Sequence, residues 1–466
     1  MNRCLTHDGK GAVAILLASL ALQAFGGEVR FTENTEPFVN PGQGWTAYGN
    51  WDKVTNYVNV GSGYSRFQWQ ALNPKEDVYD WEPIEREIRF YAEKGLPFYF
   101  RIMTCSRNGG RKSLVPDWVW EKGAKPHPYQ GAKFNYDQEG DKNATTEMWC
   151  PYWNDEIFLA AHEKFLKALA AKYDGDPRLY AIDIGSYGNW GEWHCWRLGQ
   201  DGVSDRDYGA DNETKLRMAK MYLDNFTRTT LVMMTDDVPT LRSLYAAGAR
   251  PAGLRRDGVG LPKLFGHWGR GESRYNTVDG MDDVWQTKPI AFEWVSPLER
   301  MMKPGQKAYD RGQDMSDIDF ACRWMLERHV STIDTLPFFP WQLDDYPEKK
   351  AATRKLDLYA GARLVPEKAT VDAEGDRLTV VLTGENKGVA PIYAPFALTL
   401  VVPEANWSKD FDFDLTTVLP GRFSIRGEFA GVPTGRRTLR IRHVPGVWRD
   451  FRFAAKDLNP DGSLPL

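Results

Sequence analysis

Two glutamates stand where acid chemistry can be done. Glu192 lies in DIGSYGNWGEWH (183–194), directly after the apolar run LYAIDIGS (179–186), among glycines and flanked by Trp190 and Trp193. Glu293 closes a second apolar run, KPIAFEW (288–294). Two carboxyl groups that face one another can break a glycosidic bond. One must be protonated at neutral pH to donate to the leaving oxygen, and the other must be ionised to attack or stabilise an oxocarbenium-like centre. Indole packing from Trp190 and Trp193 disfavours a charged Glu192, so its pKa is expected to be raised, as a proton donor requires. Arg66, Arg101 or Arg256 is expected to hold Glu293 ionised. The structural alternative is that either glutamate pairs with an arginine and only braces the fold.

Both acids follow apolar runs, and such runs recur. The expected strands are GQGWTAY (42–48), GYSRFQW (63–69), LPFYFRIM (96–103), LYAIDIGS, TLVMMTDD (230–237), AGLRRDGVG (252–260), KPIAFEWV (288–295) and VSTIDTL (330–336). Amphipathic helical patterns are read at 80–95, 154–175, 214–226, 240–249 and 317–329. About eight strand-then-helix units over roughly 330 residues fit an α/β fold, a (β/α)8 TIM barrel with insertions, spanning 27–362. An open doubly wound sheet is the competitor, but no Gly-rich phosphate loop follows the first strand. In a barrel the chemistry gathers at the C-terminal strand ends. That places Glu192 after the fourth strand and Glu293 at the end of the seventh, facing one cavity.

Other side chains are candidates for the same mouth. Asp236 and Asp237 end the fifth strand and Asp257 the sixth. These acids are expected to bind sugar hydroxyls, or one of them to replace Glu293 as nucleophile; Asp237 reads as a cap of the next helix, and Asp257, beside Arg255 and Arg256, as a paired acid at the site. Arg66, Arg101, Tyr187, Asn189, Trp190, Trp193, His194, Arg256 and His329 are further candidate substrate contacts. Trp69, Trp268, Trp294 and Trp341 are candidate sugar platforms, each with an equally plain reading as core. A metal held by Glu192, His194 and Asp257 has no HExxH-type spacing behind it, so the chemistry is expected to need neither metal nor cofactor. The absence of a GxSxG elbow counts against a serine hydrolase.

The remainder sets the context. Charged residues make up 26% of the chain and the net charge is −4, which gives no electrostatic case for a nucleic-acid partner. Residues 1–26 read as a signal peptide: Arg3 and Lys10, then AVAILLASLALQAF (12–25), then small residues near Gly27. An exported protein, periplasmic or extracellular and without a membrane span after processing, is expected. Cys105, Cys150, Cys195 and Cys322 then remain. Cys105 with Cys150 is the first pairing to consider, with free buried thiols as the alternative. From about Val365, period-two strands and Gly, Asn and Pro turns replace helices, predicting an immunoglobulin-like β-sandwich over 363–466. That domain is expected to buttress the barrel. A role as a separate carbohydrate-binding module has only Trp407 and Trp448 behind it.

Glu192 and Glu293 resemble the acid/base and nucleophile of clan A glycoside hydrolases, a barrel group that includes many β-galactosidases. RFQWQALNPKEDVYDWEPIEREI (66–88) resembles the family 42 type. NPGQGW (40–45), PDWV (116–119), YDGDPRLYAIDIGSYGNWGEWH (173–194), RRDG (255–258) and ENKGVAP (385–391) resemble exported bacterial proteins in which such a barrel joins a domain of unknown function. The resemblance implies a retaining hydrolase acting on an oligosaccharide or polysaccharide, with Glu192 as acid/base and Glu293 as nucleophile. One position departs from the clan. Asn usually precedes the acid/base and binds the 2-hydroxyl, and here Gly191 stands there, with Asn189 two residues earlier. This departure motivates a second reading, a carbohydrate-binding barrel that has lost turnover.

Overall fold

The computed structural model describes residues 27–49, 51–108, 111–132, 145–195, 198, 209–260, 282–295, 297–302 and 317–466. The segment read as a signal peptide and Trp268 lie outside them. In chain order the strands are β1 (Gly27–Arg30), β2 (Gly44–Ala47), β3 (Val60–Gln68), β4 (Phe98–Met103), β5 (Pro126–Ala132), β6 (Thr145–Pro151), β7 (Leu179–Ile184), β8 (Leu231–Met234), β9 (Gly253–Val259), β10 (Ile290–Trp294) and β11 (Thr332–Asp334). β2, β3, β4, β7, β8, β9, β10 and β11 close into a parallel barrel. All eight expected strands take part. Runs such as Phe98–Met103 and Leu179–Ile184 are buried at every residue, as strands covered on both faces must be.

The longer helices between these strands are α1 (Glu82–Ala92), α2 (Glu156–Tyr173), α3 (Asn212–Asn225), α4 (Val238–Leu244), α5 (Asp317–Glu327) and α6 (Lys350–Tyr359). The first buries Ile84, Ile88 and Tyr91, one stripe at helical spacing. α2 starts where the Asp155 carboxylate accepts the Ile157 and Phe158 N–H groups. Asp237 caps α4 through the Thr240 N–H at 3.0 Å. A β5–β6 hairpin, not anticipated from the sequence, occupies the long connection after β4. Among the described residues no helix is long and apolar enough to cross a membrane.

Beyond the barrel come β12 (Leu364–Glu374), β13 (Arg377–Asn386), β14 (Phe396–Val402), β15 (Trp407–Asp410), β16 (Gly421–Ala430), β17 (Thr438–His443) and β18 (Leu464–Pro465). They form a sandwich of two antiparallel sheets, β1-β12-β13-β16 and β15-β14-β17-β18. Alternation drives the packing: Leu378, Val380 and Leu382 of one sheet share a core with Leu398, Leu400, Leu439 and Ile441 of the other. One domain assignment needs correction. Residues 27–30 do not open the barrel; they pair with β12 and cover an edge that would otherwise expose unpaired backbone groups.

The sandwich seals the end of the barrel where strands begin. Arg449 N–H donates to the Gly95 carbonyl at 2.8 Å, just before β4. Gln43, just before β2, exchanges hydrogen bonds with the Ala362 backbone at 2.8 and 2.9 Å. Trp448 packs near Tyr180 at the start of β7, with ring centres 6.4 Å apart. The opposite end carries Glu192 and Glu293.

Candidate active site

The segment after β7 explains its own composition. Ser186, Gly188, Trp190, Gly191 and Trp193 have φ of 68°, 80°, 57°, 71° and 61°, so the chain coils through the left-handed region repeatedly. Each turn is tied down. Ser186 N–H donates to Ile102 O (2.9 Å), Trp190 N–H to Cys105 O (3.0 Å) and Glu192 N–H to Asn189 O (3.0 Å). The Trp193 indole N–H reaches back to Ile184 O at 2.6 Å. The coil is therefore anchored on the ends of β4 and β7, and Glu192 is delivered to the barrel mouth as a largely buried residue, 9% exposed.

A single guanidinium joins the two glutamates. Arg66, on β3, donates through Nη1 to Glu192 Oε1 at 2.9 Å and through Nη2 to Glu293 Oε2, with Asp257 Oδ2 at 3.3 Å. One oxygen from each of Glu192, Asp257 and Glu293 lies within 4.8 Å of the others. The cation held by this trio is the Arg66 side chain. His194 Nε2 stands 3.2 Å from Glu192 Oε2.

Beneath lies a second charged layer where a barrel usually packs branched aliphatics. Arg101 donates to Asp183 at 3.0 Å and Asp257 at 3.2 Å, and approaches Glu192 to 3.6 Å. Arg255 donates to Asp257 at 2.8 Å, to Glu293 at 2.8 Å and to Asp334. Tyr64 and Tyr99 close the layer from below, donating to Asp183 (2.9 Å) and Asp334 (2.8 Å). Every member is buried, so each charge needs a partner close by.

Five carboxyl groups here face three guanidinium groups, and three acids respond. Burial drives Glu293 upward; Arg66 and Arg255 oppose this, while Asp257 and Glu192 reinforce it, and the carboxyl is pushed up to about 8. Burial also raises Asp334 against the pull of Arg255. Asp257 goes the other way: burial alone would raise it, but Arg255, Arg101 and Arg66 together carry it well below the ordinary carboxylate range. This reverses part of the sequence-based expectation. Glu293, which arginines were expected to hold ionised, is the acid pushed upward; Glu192 faces Arg66 and Arg101, and the Trp193 indole turns away to the Ile184 carbonyl.

The other expected contacts divide. Arg66, Arg101, His194 and Asp257 meet at the cluster, and half-buried Trp190 lies beside it, its ring 6.0 Å from His194. Arg256 does not reach Glu293; it donates to Asp236 at 2.6 Å, while its neighbour Arg255 turns inward. Consecutive strand residues face opposite ways, so only one of the two arginines can enter the barrel. Trp69 is fully buried against Trp118, Phe158, His162 and Phe165, and belongs to the core. Trp294, stacked with Trp45 and Phe338, is also core, as are Tyr187 and Trp193. Trp341 stacks on Phe339 past the end of β11, with Lys53 Nζ 3.9 Å from its ring centre. His329 precedes β11, at the sandwich end, stacked on Trp285 with its Nδ1 against the Val389 carbonyl. It sits on the wrong side of the barrel to touch a ligand at the mouth. Buried Asn189 accepts the Arg107 N–H at 2.8 Å through Oδ1, a structural duty.

Sequence reasoning passed over Tyr64, Tyr99, Asp183 and Asp334. The signal was present: an ionisable residue inside an apolar strand, as in LYAIDI or VSTIDT, must find a partner within the barrel.

No protein-family model and no curated protein matches the chain. Among solved structures it is similar to a xylanase from Paenibacillus barcinonensis complexed with a conduramine derivative, with 12% identity over 63% of this chain and 83% of that one and a TM-score of 0.35. It is similar to a β-glucanase from Saccharophagus degradans, with 12% identity, 71% and 96% coverage and a TM-score of 0.36. The catalytic domain of a β-amylase from Paenibacillus polymyxa gives 8% identity, 64% and 92% coverage and a TM-score of 0.38.

Proposed function

We propose that the protein is an exported retaining glycoside hydrolase that acts on a glycan through Glu192 and Glu293. The observation that carries this reading is the pair itself: two carboxyl groups from distant parts of the chain, facing one another across less than 4.8 Å at the C-terminal mouth of a barrel. Retaining enzymes hold their carboxyl groups roughly 5–5.5 Å apart, inverting ones roughly 6.5–9.5 Å. The short gap supports the first class.

In the free site Glu293, pushed up to about 8, holds a proton at neutral pH. Productive attack needs that proton on Glu192, so it crosses the gap before the sugar reacts. The Glu293 carboxylate left behind is stabilised by N–H groups of Arg66 and Arg255. Glu192 then protonates the departing oxygen while Glu293 bonds to the anomeric carbon. In the second half Glu192 takes a proton from water, the water oxygen bonds to that carbon, and the Glu293 ester is released.

The Glu293 proton is lost as pH rises through about 8. kcat/KM is therefore expected to fall tenfold per pH unit above about pH 8. A flat profile from pH 7 to 10 would remove the shared proton from the mechanism. Loop geometry is a second lever. At Gly188, φ is +80° and an added Cβ would lie 2.5 Å from His194 O and 2.7 Å from His194 N. Gly188→Ala is expected to shift the coil and cost about 100-fold in kcat/KM, because a displacement of about 1 Å suffices for that. Parental kinetics in a folded Gly188→Ala protein would show that the coil does not position Glu192.

A second reading, a barrel that binds carbohydrate without cleaving it, is favoured by Gly191. Its φ is +71° and an added Cβ would lie 3.0 Å from Arg101 Cδ, so the usual Asn has no room there. Activity profiling across a polysaccharide library, with binding measured in parallel and Glu293→Gln as control, separates the two. Reducing ends released by the parent and not by the variant support hydrolysis; binding without release supports the second reading.

A further inference from the structure

Three of the cysteines gather behind the Glu192 coil. Cys105 follows β4, Cys150 lies on β6 and Cys195 follows the coil, and all three are buried. Tyr129 of β5 sits opposite Met148, which puts its ring on the same face of the hairpin as Cys150, two residues further along. Cys105 Sγ lies 3.6 Å from the Tyr129 hydroxyl. The Cys105 thiol acts directly on the Cys150 thiol, which donates to the His127 carbonyl at 3.6 Å, and all four cysteines are unbonded in this structure, not paired as the sequence suggested for Cys105 and Cys150. Cys195 instead lies with its sulfur 3.5 Å from the Tyr187 hydroxyl. Cys322, on α5, is elsewhere in the barrel wall.

We infer that Cys105 and Cys150 form a disulfide when the chain folds in an oxidising compartment, and that this bond braces the coil carrying Glu192. The segment it would fix is the coil's platform. Cys105 O accepts the Trp190 N–H, Arg107 N–H is held by Asn189, and Ser106 O accepts the Tyr129 hydroxyl at 3.0 Å. A bond from Cys105 to Cys150 ties that platform to the hairpin across about 45 residues of intervening chain. The inference is independent of what Glu192 does.

The oxidant is an organic disulfide, RSSR, either a small molecule or the active site of a thiol–disulfide oxidoreductase. One cysteine thiolate attacks RSSR, expelling RS⁻ and leaving a mixed disulfide. The other thiolate then displaces the second RS⁻. The two cysteine sulfurs lose two electrons, RSSR becomes two RSH, and the two thiol protons end on the released sulfurs. Burial pushes the Cys150 thiol well above its ordinary range, so the exchange belongs to folding, before the hairpin closes. Once made, the bond is shielded from reductant.

The test is thiol mapping on the full chain, refolded from denaturant in a glutathione redox buffer and, separately, in excess reductant. Each preparation is denatured, alkylated without reduction and digested for mass spectrometry. The oxidised preparation is expected to give a peptide linking Cys105 to Cys150, with Cys195 and Cys322 alkylated. Its Tm should exceed that of the reduced preparation by about 5 °C. Cys105→Ser should abolish that difference, whereas Cys322→Ser should retain it. Four alkylated cysteines after oxidative refolding, or a peptide linking Cys150 to Cys195, would overturn the proposal.

Discussion

Glu192→Gln is expected to lose 10²- to 10⁴-fold in kcat/KM on glycosides with poor leaving groups and far less on activated aryl glycosides. A proton donor matters only when the leaving oxygen cannot depart as an anion. With an activated substrate the first half-reaction survives and the second slows, so the variant should show a burst followed by a slow steady state. Glu293→Gln should differ in kind. Without a nucleophile neither half-reaction has a path, and the loss should be as large for activated as for poor leaving groups. The comparison also settles which carboxyl donates, a live question because Glu293 carries the proton in the free site. If leaving-group dependence appears in Glu293→Gln and not in Glu192→Gln, the two roles exchange. If neither variant differs from the parent, the pair is not catalytic.

The second large effect is expected at Arg66, whose guanidinium donates to three carboxyl groups and is almost wholly buried. Arg66→Met keeps much of the side-chain volume and removes the charge. Three acids within 4.8 Å of one another would then face each other without the cation between them. Breaking a buried ion pair from one side typically costs 3–5 kcal/mol, roughly the loss expected near neutral pH. The sign with pH follows from linkage. Without Arg66, Glu293 loses the strongest of the cations that oppose its burial, so its folded-state pKa rises further above its unfolded value. The folded variant then binds more protons, and its stability falls as pH increases. The gap to the parent should therefore be constant from pH 5 to 7, where Glu293 is protonated in both, and widen above about pH 8, measured by calorimetric melting at pH 6 and pH 9. A pH-independent loss below about 1 kcal/mol would show that Arg101 and Arg255 hold the cluster without Arg66.

These predictions turn on a layer of the molecule that pattern reading treats poorly. The strands were legible because each is an apolar run bounded by polar residues, and burial on both faces leaves no alternative composition. The ends of strands were legible for the same reason, which brought out Glu192 and Glu293. Aromatic residues were not legible. Trp69 and Trp294 have the same local signature as a sugar platform, and only packing shows that both are core. Arg255 and Arg256 pose the same problem in charge. Two adjacent arginines are equivalent in composition, and a shift of one residue in register exchanges the inner one for the outer.

From the order of residues alone come the barrel, the sandwich and the placing of two glutamates after the fourth strand and on the seventh. All of these follow from periodicity and chain direction, which are local. Tertiary structure alone decided what surrounds those glutamates: one arginine between them, an ionic layer beneath, and a burial that pushes the Glu293 carboxyl upward. Protonation depends on the summed field of groups brought together from six strands and a coil, and on their removal from water. Neither quantity exists until the barrel has closed.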